Sequence, residues 1–275
     1  MTGNFRSKPL AFAAPAAALV RTVPASYADC LRSEPVSIDP EKARAQAQNY
    51  ARLLAACGVQ VITLPGDEAC PDACFIEDTA VVLNNELALI THMGAPSRWP
   101  ESPPVIAALK AQGLHLLVLS APASLDGGDV MRAGKTLFVG LSGRTNAAGA
   151  EVLAKTAGPL GMKVVTLPVA QGLHLKSLIT LVRPDLAVVL KDSMPLDALA
   201  AAGLSWIETD EPAGANVLAL GQRVIVSAAA HQTHARLARE SGLELHSIDV
   251  SELHKGDGAL TCLSLRIPPS GAWCA

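Results

Sequence analysis

The stretch Asp257-Gly258-Ala259-Leu260-Thr261-Cys262-Leu263-Ser264-Leu265 joins a glycine-containing turn to an apolar segment that carries one thiol near its start. The apolar pattern of residues 260–267 predicts a strand at the C-terminal end of the chain. A lone strand has unpaired amide and carbonyl groups, so we expect it to complete a sheet with the strand predicted at residues 17–21. A cysteine at the mouth of such a strand is held rigidly and is still accessible to a small molecule.

A unit of strand, strand, helix and strand recurs between these two ends, with a period of about forty to fifty residues. The four units place their elements at 79–83, 87–91, 103–112 and 115–119; at 129–132, 136–141, 146–156 and 163–167; at 175–182, 186–190, 195–202 and 204–208; and at 217–220, 223–227, 231–240 and 243–248. A fifth unit is divided between the termini, with a helix that begins at Asp39-Pro40 and a strand at 59–64. The period is typical of propellers and other repeat arrays, and the sequence therefore predicts a closed α/β ring.

The composition excludes several classes of function. The chain has 275 residues, half of them apolar, and a formal net charge of -3. Nucleic acid and anionic membranes require a basic surface, so neither is an expected partner. Neither a GxGxxG sequence after a strand nor a Walker loop occurs, so no nucleotide cofactor is expected.

The six cysteines are scattered, unlike those of a small disulfide-rich protein. Cys70 and Cys74 have no second pair of ligands at zinc spacing, so no structural zinc site is expected. No apolar run is long enough to span a bilayer, and the run at residues 11–20 is interrupted by Pro15 and lacks a cleavage pattern. We therefore expect reduced thiols and a cytoplasmic location.

Polar or reactive side chains stand at the start of the first strand in every unit. These residues are Glu77, Asp78, Asp126, Asp129, His174, Asn216 and Cys262. Equivalent strand ends in a closed ring lie at one end of the ring, around its axis. We therefore expect these distant residues to meet in one small pocket.

Cys262, His174 and Asp126 have the residue types of a nucleophile, a base and an orienting acid. Each also has a simpler interpretation, since an apolar cysteine or histidine is commonly a core residue and Asp-Gly-Gly is commonly a turn. His231 and His234 are rival histidines, but we expect their helix to face outward. The matching positions of the first three residues in the repeat favour the catalytic interpretation.

Glu77 and Asp78 are adjacent acids that would repel each other unless a cation is bound nearby. A guanidinium group supplies that charge and a planar set of donors, although a surface cap is the simpler interpretation of the two acids. Arg98 and Arg144 lie in loops, where arginines are commonly solvated, but at this pocket they can hold an α-carboxylate. The residues thus predict a cysteine-based site for a guanidinium compound.

Several motifs carry a resemblance to a known family. They are Pro71-Asp72, Phe75-Ile76-Glu77-Asp78, Ala88-Leu89-Ile90-Thr91, Gly94-Ala95-Pro96-Ser97-Arg98, Leu125-Asp126-Gly127-Gly128-Asp129-Val130, Gly140-Leu141-Ser142, Arg144-Thr145-Asn146, Gly172-Leu173-His174-Leu175-Lys176-Ser177, Asp257-Gly258 and Leu260-Thr261-Cys262. Over residues 31–264 the chain resembles the dimethylarginine dimethylaminohydrolases of the guanidino-group-modifying (pentein) superfamily. The resemblance implies a five-bladed α/β-propeller of ββαβ repeats, closed by N- and C-terminal strands in one blade. It further implies a single catalytic domain over residues 1–275.

The resemblance also implies a reaction, which is hydrolysis of dimethyl- or monomethylarginine to citrulline and a methylamine through a covalent thiouronium. It implies Cys262 as the nucleophile, His174 as the general acid and base, and Asp126 as the orienting acid. The implied substrate-binding residues are Leu31 on a covering loop, Asp72, Phe75, Glu77, Asp78, Arg98, Arg144 and Gly256. No metal or other cofactor is implied, except zinc as an inhibitory ligand of Cys262, and a homodimer is compatible with the family.

The chain departs from the family pattern at His92-Met93, where Arg-Pro is common, at Trp99, where a second arginine is usual, and at Gly256, where a larger aliphatic residue often stands. These differences leave the chemistry intact, but they leave the pocket shape, and with it the preference for the N-substituent, open. Two other functions remain open. One is hydrolysis of unmodified arginine, and the other is surface binding by a non-catalytic ring protein.

Overall fold

The computed structural model describes residues 11–272, and the prediction of a free thiol at Cys274 lies outside the described residues. The strands are β1 (Ala17–Arg21), β2 (Gln60–Leu64), β3 (Ala80–Val82), β4 (Leu87–Ile90), β5 (His115–Val118), β6 (Val130–Ala133), β7 (Thr136–Leu141), β8 (Lys163–Pro168), β9 (Ile179–Arg183), β10 (Leu186–Leu190), β11 (Ser205–Thr209), β12 (Leu218–Leu220), β13 (Arg223–Ser227), β14 (Glu244–Ile248) and β15 (Leu265–Ile267). The helices are α1 (Pro40–Ala56), α2 (Ser102–Ala111), α3 (Ala147–Ala157), α4 (Asp197–Ala201), α5 (Pro212–Ala215), α6 (His231–Glu240) and α7 (Ser251–His254). No helix among residues 11–272 has both the length and the apolar character required to cross a bilayer.

The strands form five three-stranded sheets, in the orders β3-β4-β5, β6-β7-β8, β9-β10-β11, β12-β13-β14 and β15-β1-β2. In every sheet the first strand is antiparallel to the central strand, and the central strand is parallel to the third. A parallel pair needs a crossover, and a helix provides it in each sheet. The predicted ββαβ repeat is confirmed.

The fifth sheet joins the two ends of the described chain. β15 pairs antiparallel with β1, with Leu265 opposite Leu19, and β1 pairs in parallel with β2. Both leucines are buried in the same apolar cluster. The prediction that a C-terminal strand shares a blade with the N-terminal strand is therefore confirmed.

One axial channel of about 90 Å³ is lined by the first strand of every sheet, namely β3, β6, β9, β12 and β15. Five strands can share one channel only if they surround a common axis. Glu77, Lys176 and Arg266 also line the channel, and their charged groups contact one another there. The axis of the ring is therefore partly polar.

The first strands begin later than the sequence predicts. The apolar pattern predicts strands at 175–182 and 260–267, but 3-10 turns form at Leu175–Ser177 and Thr261–Leu263 before β9 and β15 begin. Several side chains of these turns are as deeply buried as those of a strand, so an apolar pattern does not distinguish the two. Cys262 therefore lies in a turn and not in the apolar strand predicted for it.

A short turn stands at this place in every unit. The turns are Ile76–Thr79, Gly127–Asp129, Leu175–Ser177, Thr261–Leu263 and helix α5. The Ile76–Thr79 turn contacts its neighbours on both sides, and the Leu175–Ser177 turn does the same. These turns gather the polar residues of all five units at one end of the ring.

Helix α1 shows how local sequence defines the repeat. The Asp39 carboxylate accepts hydrogen bonds from the Glu41 and Lys42 amides at 3.0 and 3.1 Å, and Pro40 occupies the first helical position. Gly58, with a φ of 87°, follows the end of the helix and allows the chain to turn into β2. The predicted cap is confirmed.

Replacing Leu19 with alanine should lower the free energy of unfolding by about 2–5 kcal/mol, because it leaves a cavity between β1 and β15. Leu117→Ala is the matched control, since Leu117 on β5 is 48% exposed, and we expect a change below about 0.5 kcal/mol. Urea denaturation measures both values. Equal losses in the two variants would contradict a core that includes the closing strands.

Candidate active site

A pocket of about 270 Å³ lies beside the ring of turns. Its wall includes most of the predicted site residues, namely Leu31, Asp72, Phe75, Asp78, Arg98, Arg144, His174, Gly256 and Cys262. It also includes Arg32, Ser33, Leu173, Asp257 and Gly258, for which the sequence predicted no role. Asp126 and Glu77 do not line it. Residues from four of the five units and from the N-terminal loop thus meet in one cavity.

His174 lies between two carboxylates. Its Nε2 is 3.1 Å from Asp126 Oδ2, and its Nδ1 is 4.0 Å from Asp78 Oδ1. The other oxygen of Asp126 accepts a hydrogen bond from the Gly94 amide at 2.8 Å. Asp126 is therefore fixed behind the imidazole, in the place expected of an orienting acid, and is fully buried.

Gly127 and Gly128 allow the turns to approach each other closely. A Cβ at Gly127 would lie 2.0 Å from the Glu77 carbonyl oxygen, and one at Gly128 would lie 2.7 Å from His174 Nδ1. The Gly128 amide donates to Asp78 Oδ1 at 2.9 Å. Gly127 and Gly128 thus make room for the protein's own acid and imidazole.

The buried charges of the site stabilise one another. Burial alone would lower the pKa of His174, but the carboxylates of Asp78, Asp126 and Asp129 outweigh it and raise the pKa to about 9. Burial would raise the pKa of Asp78, but the charges of His174 and Arg98 outweigh it and lower the pKa to about 2. At neutral pH an imidazolium therefore faces ionised Asp78.

The surroundings of Cys262 disfavour its charged form, whereas those of His174 favour the charged form of the imidazole. Burial, and then the negative charges of Glu77 and Asp78, raise the pKa of the Cys262 thiol to about 12. A base beside a nucleophilic cysteine is expected to favour the thiolate, but at neutral pH these surroundings keep the sulfur of Cys262 protonated. Additional positive charge in the pocket would lower this pKa.

Glu77 faces the axial channel. Its carboxylate contacts Lys176 Nζ at 2.6 Å and Arg266 Nη2 at 3.0 Å, and accepts a hydrogen bond from Thr261 Oγ1 at 2.8 Å. The prediction that Glu77 lines the guanidinium pocket is corrected, because the acid is paired with the protein's own cations. The adjacent acids do need positive charge, but side chains supply it: Lys176 and Arg266 for Glu77, and Arg98 for Asp78.

Asp129 and Asn216 hold the turns together and do not line the pocket. Asp129 accepts from the Leu175 amide at 2.8 Å, and Asn216 donates through Nδ2 to Thr261 Oγ1 at 3.0 Å. Asn216 Oδ1 accepts from the Thr261 amide, also at 3.0 Å. The expectation that every unit contributes directly to the pocket is therefore wrong for these two side chains.

Arg98 is buried and bound by other protein groups. It donates to Asp78 at 2.6 Å, to the Glu101 carboxylate at 2.9 and 2.8 Å, and to the Phe75 carbonyl at 2.9 Å. Arg144 differs, because its guanidinium has no hydrogen bond or ion pair with another residue in the range 11–272. Of the two arginines predicted to hold a carboxylate, Arg144 is thus the one whose donors are available.

The loop at residues 31–33, called the lid below, borders the pocket on the N-terminal side. The Leu31 amide is 3.1 and 3.3 Å from the two Asp72 oxygens, while the Leu31 side chain is 41% exposed. Burial raises the pKa of Asp72 despite the lowering effect of the Arg98 charge. Asp72 and Arg144 thus provide an acceptor and a donor group in the same pocket as Cys262.

Comparison with known proteins identifies the family of this chain. A family model described as N,N dimethylarginine dimethylhydrolase, eukaryotic, matches residues 27–267. The chain belongs to the dimethylarginine dimethylaminohydrolase family. The resemblance carried by the motifs is therefore confirmed.

Two of the similar proteins are named N(G),N(G)-dimethylarginine dimethylaminohydrolase. The one from Streptomyces coelicolor is 38% identical over 231 residues, which cover 84% of this chain and 88% of the relative. The one from Pseudomonas aeruginosa is 30% identical over 253 residues, covering 90% and 98%. A solved structure of the Pseudomonas aeruginosa enzyme, a cysteine-to-serine variant with citrulline, covers 94% of this chain at a TM-score of 0.85 and 29% identity, and all of its own chain is matched. The propeller fold is thus shown by both the sheets and the relatives.

Three of the departures from the dimethylarginine dimethylaminohydrolase pattern lie together and outside the pocket wall. The Trp99 ring stacks on His92 with centroids 4.5 Å apart, and its Nε1 donates to the Met93 carbonyl at 2.7 Å. His92, Met93 and Trp99 therefore contact one another in one local cluster. None of these three residues lines the pocket of about 270 Å³.

Gly256, the remaining departure, does line the pocket. A Cβ at this position would lie 2.5 Å from the Tyr27 hydroxyl oxygen and 2.9 Å from Cys30 Sγ. Tyr27 and Cys30 thus occupy the space that a larger residue at position 256 would need. This member of the family has backbone, and no side chain, at this part of the wall.

Asp78, Asp126 and His174 could also bind a metal ion, since one ligand atom from each lies within 4.8 Å of the others. Arg98 and the protonated imidazole already compensate for the two acids. A metal would have to displace the proton from His174 before binding its ring. The arrangement is therefore better suited to proton transfer than to holding a resident metal.

Replacing Gly128 with alanine should destabilise the fold by about 1–3 kcal/mol, because the new Cβ would overlap His174 and Asp78. Gly143→Ala is the matched control, since Gly143 is exposed, nothing lies within 4 Å of a Cβ there and its φ lies outside the left-handed region. Urea denaturation of both variants checks this. A Gly128→Ala protein as stable as the control would contradict the close approach of the two turns.

Proposed function

We propose that this protein hydrolyses Nω-methylated arginine to citrulline and a methylamine, with Cys262 carrying a covalent intermediate. The observation that carries the proposal is the shared cavity of Cys262, His174 and Asp78, which places a thiol, an imidazolium and a carboxylate around about 270 Å³. Membership of the family supports the choice of substrate. The size of the cavity suits one amino acid.

The guanidinium group and the amino-acid end of the substrate bind at opposite ends of the pocket. Asp78 receives the guanidinium group, which joins Arg98 and the His174 imidazolium as a third cation near this acid. Arg144 receives the α-carboxylate, since its donors are otherwise unused, and Asp72 receives the α-ammonium group. Leu31 and its lid then cover the bound amino acid.

The bound cation activates the nucleophile. The negative charges that raise the pKa of Cys262 are offset when a guanidinium group enters the pocket, so the thiol can release its proton to solvent. The thiolate attacks the guanidinium carbon and forms an S–C bond. This order of events explains why the nucleophile is protonated before substrate binds.

His174 then transfers protons in both halves of the reaction. Its imidazolium protonates the methylated nitrogen, the C–N bond breaks, the amine leaves, and a thiouronium remains on Cys262. The neutral imidazole next takes a proton from water, and the resulting hydroxide adds to the thiouronium carbon. The C–S bond breaks and the proton of the added hydroxyl passes to the departing sulfur, which releases citrulline and restores the thiol. General acid and base catalysis of this kind contributes typically about 10²–10⁴-fold.

Asp126 acts on the orientation of His174 and not on the substrate. Its hydrogen bond to Nε2 leaves Nδ1 directed toward Asp78, which is the side on which the substrate would bind. A fixed ring orientation is the usual contribution of the third member of a triad. We therefore assign proton transfer to Nδ1.

The mechanism uses only side chains and water, so we propose no cofactor, with zinc acting only as an inhibitory ligand of Cys262. The nucleophile must stay reduced, and Cys30, Cys57, Cys70 and Cys74 are also free thiols. We therefore propose the cytoplasm as the site of action. All five blades are proposed to form one catalytic domain.

Cys262→Ser should reduce turnover of methylated arginine by more than about 10³-fold, because an alcohol is a far weaker nucleophile here. Cys57→Ser, at the end of α1 and away from the pocket, is the matched control and should retain activity. Mass spectrometry of citrulline and released amine measures both. Arginine, monomethylarginine and dimethylarginine are assayed side by side, and turnover of arginine far above both methylated compounds would refute the substrate assignment.

In the ligand-free protein, alkylation of Cys262 by iodoacetamide should still be rising steeply at pH 9. The thiolate fraction increases about tenfold per pH unit below the pKa, and the pKa of this thiol is raised to about 12. Peptide mass spectrometry gives the rate at each pH. A rate that levels off below pH 8 would contradict a protonated resting nucleophile.

A further inference from the structure

Ser33 of the lid contacts Asp257, which lies in the turn that precedes the nucleophile. The Asp257 carboxylate accepts one hydrogen bond from the Ser33 amide at 2.6 Å and another from its hydroxyl at 2.8 Å. Both residues line the substrate pocket and also a neighbouring cleft of about 920 Å³. The contact therefore forms part of the wall between the two spaces.

Asp257 adopts a backbone conformation that favours glycine. Its φ is 58°, and within residues 11–272 only Asp192, with a φ of 56°, is another non-glycine residue with a positive value. This conformation is strained for most residues with a Cβ, though less for Asp and Asn. Aspartate is among the few residues that tolerate this conformation, so the turn can present a carboxylate at this position.

The backbone around Asp257 is anchored without help from that carboxylate. The Asp257 amide donates to the His254 carbonyl at 3.1 Å, and the Gly258 amide donates to the Leu253 carbonyl at 3.1 Å. His254 Nδ1 donates in turn to the Gly258 carbonyl at 2.9 Å. The turn that leads to Cys262 should therefore stay in place when the carboxylate is changed.

The lid has two anchors, and both are carboxylates. Asp72 accepts from the Leu31 amide, and Asp257 accepts from both donors of Ser33. In the proposed function the α-ammonium group of the substrate binds Asp72 and competes with Leu31 for the same oxygens. Asp257 is then the anchor that still holds the lid while substrate is bound.

We propose that Asp257 is a positioning residue that keeps the lid closed over the bound amino acid. It acts through Ser33 and touches none of the reacting atoms. This inference rests on the proposed function for the identity of the substrate. Because the turn before Cys262 is anchored separately, loss of the carboxylate weakens retention of the substrate and leaves the chemical step nearly unchanged.

Asp257→Asn tests the proposal, because asparagine tolerates the positive φ but lacks the charge that both Ser33 donors share. Hydrogen exchange in the ligand-free protein should become roughly tenfold faster at residues 30–34. KM should rise roughly tenfold, with kcat changed by less than about threefold. Ser33→Ala removes only the hydroxyl donor and should give a smaller effect in the same direction.

Asp192→Asn is the matched control, since it makes the same substitution at the same backbone conformation in a turn outside both cavities. It should leave exchange at the lid and both kinetic constants unchanged. Lid exchange in Asp257→Asn equal to that of the wild type would overturn the proposal, as would a fall in kcat at constant KM. Exchange is measured without substrate, so a wild type that does not turn over methylated arginine would refute the proposed function alone.

Discussion

The buried contact of the His174 imidazolium with the carboxylates of Asp78 and Asp126 is the interaction on which the rest of the site depends. Charged groups removed from water need partners of opposite charge, and deleting one partner of a buried pair costs roughly 3–5 kcal/mol. Arg98 is a further partner of Asp78. It pairs with Asp78 Oδ2, whereas the His174 imidazole faces Oδ1. The raised pKa of His174 and the lowered pKa of Asp78 are two consequences of the same arrangement.

A second set of buried charges lies on the other side of the Ile76–Thr79 turn, which carries both Glu77 and Asp78. Asp78 is directed to the pocket, whereas its neighbour Glu77 is directed to the axial channel, where it meets Lys176 and Arg266. Arg266 belongs to β15, the strand that closes the ring against β1. Closure of the fold and placement of Asp78 thus depend on one short turn, which links the stability of the propeller to the geometry of its pocket.

Much of the fold could be predicted from the sequence, because each ββαβ unit repeats its pattern and a strand at either end is left to form the fifth. The 3-10 turns could not be predicted, because a buried residue such as Leu175 gives the same apolar pattern in a turn as in a strand. The pocket position of His174 followed from the repeat, but the partners of Glu77 and Arg98 did not, since they come from other units or from local folding. Asp257 was visible in the sequence only as part of a turn, and its role depends on the distant Ser33.

The resting site pairs a protonated imidazole with a protonated thiol until a cationic substrate enters. An NMR titration of the His174 ring in the ligand-free protein tests it most directly, with Cys262→Ser used to separate the two titrations. We expect a pKa of about 9 for His174. A value at or below the ordinary 6.5 would show that the carboxylates do not hold the proton on the ring, and would rule out a protonated resting imidazole.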